Sequence, residues 1–276
     1  MKPEQLPSTE LREGFKATAI EAAQIAGRVL IEQARLGVRV EHKDAVNLVT
    51  DADRRAEQAI VDVIAKTYPA HQMLAEERGM ASAGDSPYRW VIDPLDGTTN
   101  FAHGFPSYCV SIALEFHSQG ILGVVWDPTR EELFVAERGQ GAMLNGAALQ
   151  VSRVHTLNAA LLVTGFAYDI RESTHNNLDF FARFALRAQG LRRTGSAALD
   201  LCYVAAGRFD GFWEMKLHPW DTAAGALMVV EAGGRMTDFK GEVFSIYGPE
   251  TVASNALIHP EMIEVLNDGR PPARAR

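Results

Sequence analysis

From Leu11 to Ala34 the apolar residues Leu11, Phe15, Ala19, Ala22, Ile25, Ala26, Val29 and Leu30 recur at steps of three and four, the spacing of one helix face. Ser8 and Thr9 precede this stretch as candidate caps. Ala56, Ile60, Val63 and Ile64 repeat the pattern and predict a second helix over Asp53–Lys66, with Thr50 or Asp51 ahead of it and Pro69 behind. Beyond it the period shortens. Arg89–Ile92, Tyr108–Phe116, Ile121–Trp126 and Glu132–Val135 are short apolar or β-branched runs between turn residues, and they predict a mostly antiparallel sheet. The pair Asn145-Gly146 signals a hairpin. Helical spacing returns at Leu178–Ala188, Ser196–Ala206 and Asp221–Glu231, alternating with strand-like pieces at Leu161–Val163 and Phe212–Glu214. No repeat, low-complexity block or Pro/Gly/Ser-rich linker divides the chain, and the tail Pro271–Arg276 reads as frayed.

With 276 residues, 47% of them apolar, the chain can fill a large core or two subdomains sharing one. Acidic residues outnumber basic ones by 35 to 27, and the net charge of −8 argues against nucleic acid or a membrane surface as partner. An anionic ligand would need a local reversal of sign. Two cysteines, Cys109 and Cys202, are too few for a disulfide framework and lack zinc-site spacing, so a reducing cytoplasm is the simplest compartment. No apolar signal region follows Met1, and no run approaches the roughly 20 residues of a membrane span. The expectation is a soluble, unprocessed, cytoplasmic protein.

Candidate chemistry is densest in Trp90-Val91-Ile92-Asp93-Pro94-Leu95-Asp96-Gly97-Thr98-Thr99-Asn100-Phe101. A buried strand ends at Asp93, and Pro94 cannot extend a ladder, which predicts a turn there. In such a turn the Asp93 and Asp96 carboxylates converge while Leu95 offers its carbonyl; these are hard oxygen ligands suited to Mg²⁺ or Mn²⁺. A solvated, capped turn explains the same residues. Two further segments stand apart. Ala75-Glu76-Glu77-Arg78 sets paired acids after a short apolar run, which surface charge also explains. Pro219-Trp220-Asp221-Thr222-Ala223-Ala224-Gly225, followed by Glu231-Ala232-Gly233-Gly234, opens a helix of small residues with an acid that alone reads more readily as an N-cap than as a ligand.

Together and in this order, the three motifs resemble the inositol monophosphatase family, the magnesium-dependent, lithium-sensitive sugar phosphatases, over most of the chain. The resemblance implies an α+β (mixed α/β) fold, a layered αβαβα sandwich of two closely packed subdomains forming one catalytic unit, and usually a homodimer. Residues 1–150 would carry most metal ligands, and residues 151–276 would carry Asp221 and the specificity residues. It further implies roughly two to three Mg²⁺ per subunit. Glu76, Asp93 and the Leu95 carbonyl would hold one ion, Asp93, Asp96 and Asp221 a second, and a third would share Glu76. Asp53 and Thr98 would orient and activate the attacking water, with Glu76 completing the catalytic set. The N–H groups of Gly97 and Thr98 are natural phosphate donors, and Gly195, Ser196, Ala197 and Glu214 match positions facing the polyol, beside Asp221.

Lys43 resembles the family's mobile basic loop, with a solvated loop lysine the equal alternative; Asn47 stands where relatives often have Asp. His218 is either a pocket residue or a structural histidine. The implied reaction is hydrolysis of myo-inositol 1-phosphate or a similar small phosphate ester, which Asp-Gly-Thr-Thr-Asn-Phe favours over nucleotide bisphosphates. Histidinol phosphate and fructose 1,6-bisphosphate are alternatives, and a catalytically silent metal-responsive protein is the competing class. Three short patterns are decoys. Cys202 and Arg208 have Cys-x5-Arg spacing without a Gly-rich cradle; Asp51-Ala52-Asp53 is followed by Arg55 where aspartyl-phosphate enzymes need Thr or Val; Gly139-Gln140-Gly141 lies outside any strand-to-helix turn.

Overall fold

The computed structural model describes residues 6–36, 40–42, 48–81 and 85–268; Lys43, Asn47 and the C-terminal tail lie outside them. The chain opens with α1 (Thr9–Leu36), a short ribbon of β1 (Val40–His42) and β2 (Leu48–Thr50), and α2 (Asp51–Thr67). Next come β3 (Gln72–Ala75), β4 (Gly79–Ala81), β5 (Tyr88–Asp96), α3 (Thr98–Ala102), β6 (Cys109–Phe116), β7 (Gln119–Asp127), β8 (Glu132–Glu137), β9 (Gly141–Leu144) and β10 (Ala147–Ala148). The remainder supplies β11 (Leu161–Thr164), α4 (Leu178–Ala185), β12 (Gly190–Arg192), α5 (Ala197–Ala205), β13 (Gly211–Met215), α6 (Pro219–Glu231), β14 (Arg235–Thr237), β15 (Glu250–Ser254) and α7 (His259–Asn267). Strands β3 to β10 form one eight-stranded sheet in the order β10-β9-β8-β7-β6-β5-β3-β4, antiparallel except for the β3–β5 pair. The last five make a mixed sheet, β12-β11-β13-β15-β14.

Burial explains the layering. The alanine-rich face of α1, with Phe15, Ala19, Ala22, Ala26 and Leu30, packs with Ala56, Ile60 and Ile64 of α2 over the first sheet. Gly27 is required in that seam, because a Cβ there would lie 2.4 Å from the Trp126 indole. Helices α5 and α6 fill the space between the sheets, and every residue of α5 is buried. A helix buried all round carries little amphipathic signal, so the helical spacing at Ser196–Ala206 and Asp221–Glu231 announces these two helices without showing that they lie between two sheets. Helix α7 and Phe184 of α4 close the far side against Trp213 and Val252. The result is the expected αβαβα sandwich of mixed α/β class.

Several elements differ from expectation. Strand β5 does not turn at Pro94; it runs on to Asp96 and absorbs the missing N–H in a register shift between Asp93 and Asp96. Helix α2 begins at Asp51, which puts Asp53 inside its first turn. Helix α4 stops at Ala185, and Ser196 caps α5 from outside by accepting the Leu199 N–H. Asp221 is not an N-cap: His218 occupies that place, and the Asp221 carboxylate reaches back to the His218 N–H at 2.6 Å. The Asn145-Gly146 hairpin forms as predicted, with φ of 49° and 81° at its two turn residues.

His259 joins α7 to the second sheet and gives a stability prediction. Its ring is buried, with Nε2 at 2.8 Å from Thr237 Oγ1 and Nδ1 at 2.8 Å from Ser254 Oγ. Since the Thr237 hydroxyl donates to the Asp238 carbonyl, Nε2 carries the ring proton and Nδ1 accepts. Burial, aided by the Arg235 charge, lowers the His259 pKa to about 4 from 6.5. The unfolded chain therefore binds the extra proton first, so this contribution is complete above pH 6.5 and is lost as pH falls toward 4, by at most about 3 kcal/mol. Urea unfolding at pH 7.5 and pH 5 is expected to show a larger loss for the wild type than for His259→Gln; equal losses would remove His259 as the cause.

Candidate active site

The C-terminal ends of β3, β5, β11 and β13 meet the first turns of α3, α5 and α6 around a cleft of 340 Å³. Parallel pairing of β3 with β5, Ala75 opposite Ile92, sets Glu76 beside Asp93, and the Glu76 N–H donates to the Ile92 carbonyl at 3.2 Å. Downstream of Pro94 the bulge directs Asp96 toward α5, where its Oδ2 accepts the Ser196 hydroxyl at 2.6 Å and the Ala198 N–H at 2.7 Å. Gly97 adopts φ 100°, and a Cβ there would lie 2.9 Å from the Ser107 carbonyl, so only glycine permits the turn into α3. Asp221 comes from α6 across the cleft.

All of the sequence-predicted lining residues meet here: Glu76, Asp93, Leu95, Asp96, Gly97, Thr98, Gly195, Ser196, Ala197, Glu214 and Asp221 border the same space. Asp53 stands behind it, 1% exposed, and accepts the Thr98 hydroxyl at 3.2 Å. The same hydroxyl lies 3.1 Å from the Leu95 carbonyl. His218 borders the cleft and also caps α6, its ring stacked on Trp220.

Electrostatics follow from crowding acids in a small space. Burial pushes the Asp93 carboxyl well above the ordinary carboxylate range, and the charges of Glu76, Asp96 and Asp221 push it further. Burial raises Asp96 too, opposed by the hydrogen bonds from Ser196 and the start of α5. Asp221 reaches about 7 through desolvation and the Asp96 charge. Among the described residues no three His, Cys, Asp or Glu side chains are gathered into a finished metal cage. The donor set nevertheless fits a hard divalent ion. It is all oxygen, and its members repel one another in a way that a cation between them would relieve.

The outer wall of the cleft carries no signal in the sequence. Asp200, 1% exposed, and Arg193 border the cleft near Glu214, whose carboxyl is raised by burial and by Asp200 and lowered by Arg193. Gly165 makes room for Glu214, since a Cβ would sit 2.2 Å from its Oε1. Tyr168 opens a single 3₁₀ turn and Lys216, paired with Asp169 at 2.6 Å, follows β13, both in stretches too short for a periodic signal. A larger cavity of 520 Å³ between α6 and the 241–247 loop lacks this acid set, so size does not locate the chemistry. The decoys dissolve: Cys202 is fully buried in α5 with its thiol pushed up by burial, Arg208 is held by Glu132 at 2.7 Å, and the Gly139 and Gly141 N–H groups bind Glu231.

Fold and cleft agree with a phosphatase, the class of enzyme to which comparison with known proteins assigns this chain. A relative from Pseudomonas aeruginosa, Nus factor SuhB, is 45% identical over 94% of this chain and 97% of its own length. Inositol-1-monophosphatase of Synechocystis is 44% identical over 90% of this chain and 87% of its own. The solved inositol monophosphatase of Anabaena superposes with a TM-score of 0.88 at 41% identity, covering 97% of this chain and 100% of that one. The chain belongs to the inositol monophosphatase family, whose model matches residues 11–269.

Proposed function

We propose that this phosphatase hydrolyses a small polyol phosphate, myo-inositol 1-phosphate or a near relative, by direct attack of water, with Mg²⁺ or Mn²⁺ held by Glu76, Asp93, the Leu95 carbonyl, Asp96 and Asp221. The observation that carries this reading is the Thr98–Asp53 hydrogen bond beside the crowded acids. Bound divalent ions would neutralise phosphoryl charge, acidify a water and steady the leaving oxygen. Thr98 carries one hydroxyl proton and faces two acceptors. With the Leu95 carbonyl committed as a ligand, that proton goes to Asp53, and Thr98 Oγ1 turns a lone pair to the water proton. Glu214 accepts hydroxyls of the leaving polyol, and a 340 Å³ cleft suits a ligand of that size.

Asp221 enters from the second sheet's side, so residues 1–150 and 151–276 would act as one catalytic unit. We infer a homodimeric cytoplasmic enzyme; no described helix is long and apolar enough to cross a membrane. The Pseudomonas relative bears the name of a Nus factor, yet the charge of −8 argues against a broad nucleic-acid surface here. An RNA-binding titration at low salt checks that exclusion.

Phosphate release should be measured with inositol 1-phosphate, histidinol phosphate, fructose 1,6-bisphosphate and adenosine 3′,5′-bisphosphate. The expected result is the highest kcat/KM for inositol 1-phosphate, strict dependence on Mg²⁺ and inhibition by Li⁺. Absence of Mg²⁺-dependent turnover on the whole panel would overturn the reading.

A further inference from the structure

Glu76 occupies the least supported position among the proposed ligands. With Ala75 paired to Gly79, it opens the three-residue connection Glu76-Glu77-Arg78 between β3 and β4, and β4 is the edge of its sheet. Such a turn has a neighbouring strand on one side only. Asp93 and Asp96, by contrast, sit in a central strand, and Asp221 sits in a helix.

Behind this turn stands a carboxylate with no place in the chemistry above. Glu57 of α2 is 1% exposed, although glutamate is among the residues least often buried. Its Oε2 accepts the Glu77 N–H at 2.9 Å, and its Oε1 meets Arg78 Nε at 3.0 Å. Arg78 is gripped again by Gln58, the next residue of the helix. Burial raises the Glu57 carboxyl, while the Glu77 N–H and the Arg78 charge oppose the rise. Glu57 lies one helical turn after Asp53, and both carboxylates are 1% exposed on the same face of α2. One rigid helix thus holds the proposed water-activating acid directly and the Glu76 turn through three contacts, two from Glu57 and one from Gln58.

From this geometry we infer that Glu57 is a positioning residue, which fixes Glu76 relative to Asp53 by clamping the two residues that follow Glu76. The inference rests on the proposed role of Glu76 as a metal ligand. A helix-anchored turn holds Glu76 facing the cleft before any ion arrives, so the clamp should act on metal affinity more than on the chemical step. Outer partners of metal ligands typically change affinity by about 10- to 100-fold.

The test is Glu57→Gln. Glutamine keeps an acceptor for the Glu77 N–H and loses the charge that holds Arg78. Calorimetric titration with Mn²⁺ and with Mg²⁺, without substrate, is expected to show at least one site weakened about 10-fold or more. The Mg²⁺ needed for half-maximal phosphate release should rise in parallel, while kcat at saturating Mg²⁺ and KM for the ester stay close to wild type. Arg78→Gln, altering a partly exposed side chain, should shift metal affinity in the same direction and guards against a Glu57 variant that does not fold. Wild-type metal affinity in folded Glu57→Gln and Arg78→Gln would overturn the inference. Failure of the wild type itself to bind either ion would instead overturn the metal assignment on which the inference rests.

Discussion

Asp53→Asn is expected to lower kcat by about 10²- to 10⁴-fold, the usual worth of a positioned proton acceptor, with KM for the ester and the Mg²⁺ requirement nearly unchanged. Asparagine fills the same buried space in the first turn of α2 and can still accept the Thr98 hydroxyl, so the fold should survive. What disappears is the carboxylate that can take up the Thr98 proton as Thr98 takes one from water. Thr98→Ala should cost a similar factor, and the double variant little more than either alone, because the pair acts as one unit. Single-turnover phosphate release, with circular dichroism as the check on folding, gives the measurement. Turnover of Asp53→Asn at the wild-type rate would remove the pair from the mechanism.

How much of this could be read from the chain depends on the range of the interactions involved. The first two helices announce themselves because one face of each is buried and the other is wet, and β5, β6 and β7 because burial on both faces makes each a continuous apolar run. The acids at 93 and 96 are legible in the sequence because a proline and a glycine mark their segment. Their geometry is not legible there: Pro94 by itself predicts a turn, whereas pairing with Ser111 and Cys109 of β6 keeps the segment in the sheet as a bulge. Strand β3, three-residue β4, β12, β14 and β15 are short pieces whose identity is decided by neighbours far away in sequence. Asp200, Gly165 and Glu57 are silent in the sequence for the same reason. Each looks ordinary in its own segment, a first-turn acid, a loop glycine and a helix glutamate, and acquires meaning only through a partner 14 residues or more away or a wall contributed by another element: Gly165 against Glu214, Glu57 against Glu77.

Asp96→Asn should separate stability from function more sharply than any other single change, with opposite signs for the two. In the metal-free protein the Asp96 carboxylate is buried 9% exposed and adds its charge to those acting on Asp93 and Asp221. An asparagine carbonyl in the Oδ2 place still accepts the Ser196 hydroxyl and the Ala198 N–H, so the link to α5 persists while the repulsion goes. The metal-free variant should therefore melt above the metal-free wild type. Saturating Mg²⁺ should then reverse the order. A ligand at about 100 times its dissociation constant stabilises by about 2.7 kcal/mol, and at this chain length each kcal/mol moves Tm by about 2–4 °C, so the wild type should rise by several degrees and the variant barely move. With one carboxylate missing from the shared acid set, kcat/KM is expected to fall by about 10²- to 10³-fold even at high Mg²⁺, the scale of losing one preorganised electrostatic contact. Differential scanning calorimetry with and without Mg²⁺, read against phosphate release, tests both halves. A variant that loses stability without metal, or that keeps the full Mg²⁺-dependent rise in Tm, would show that Asp96 serves the junction with α5 and does not hold the ion.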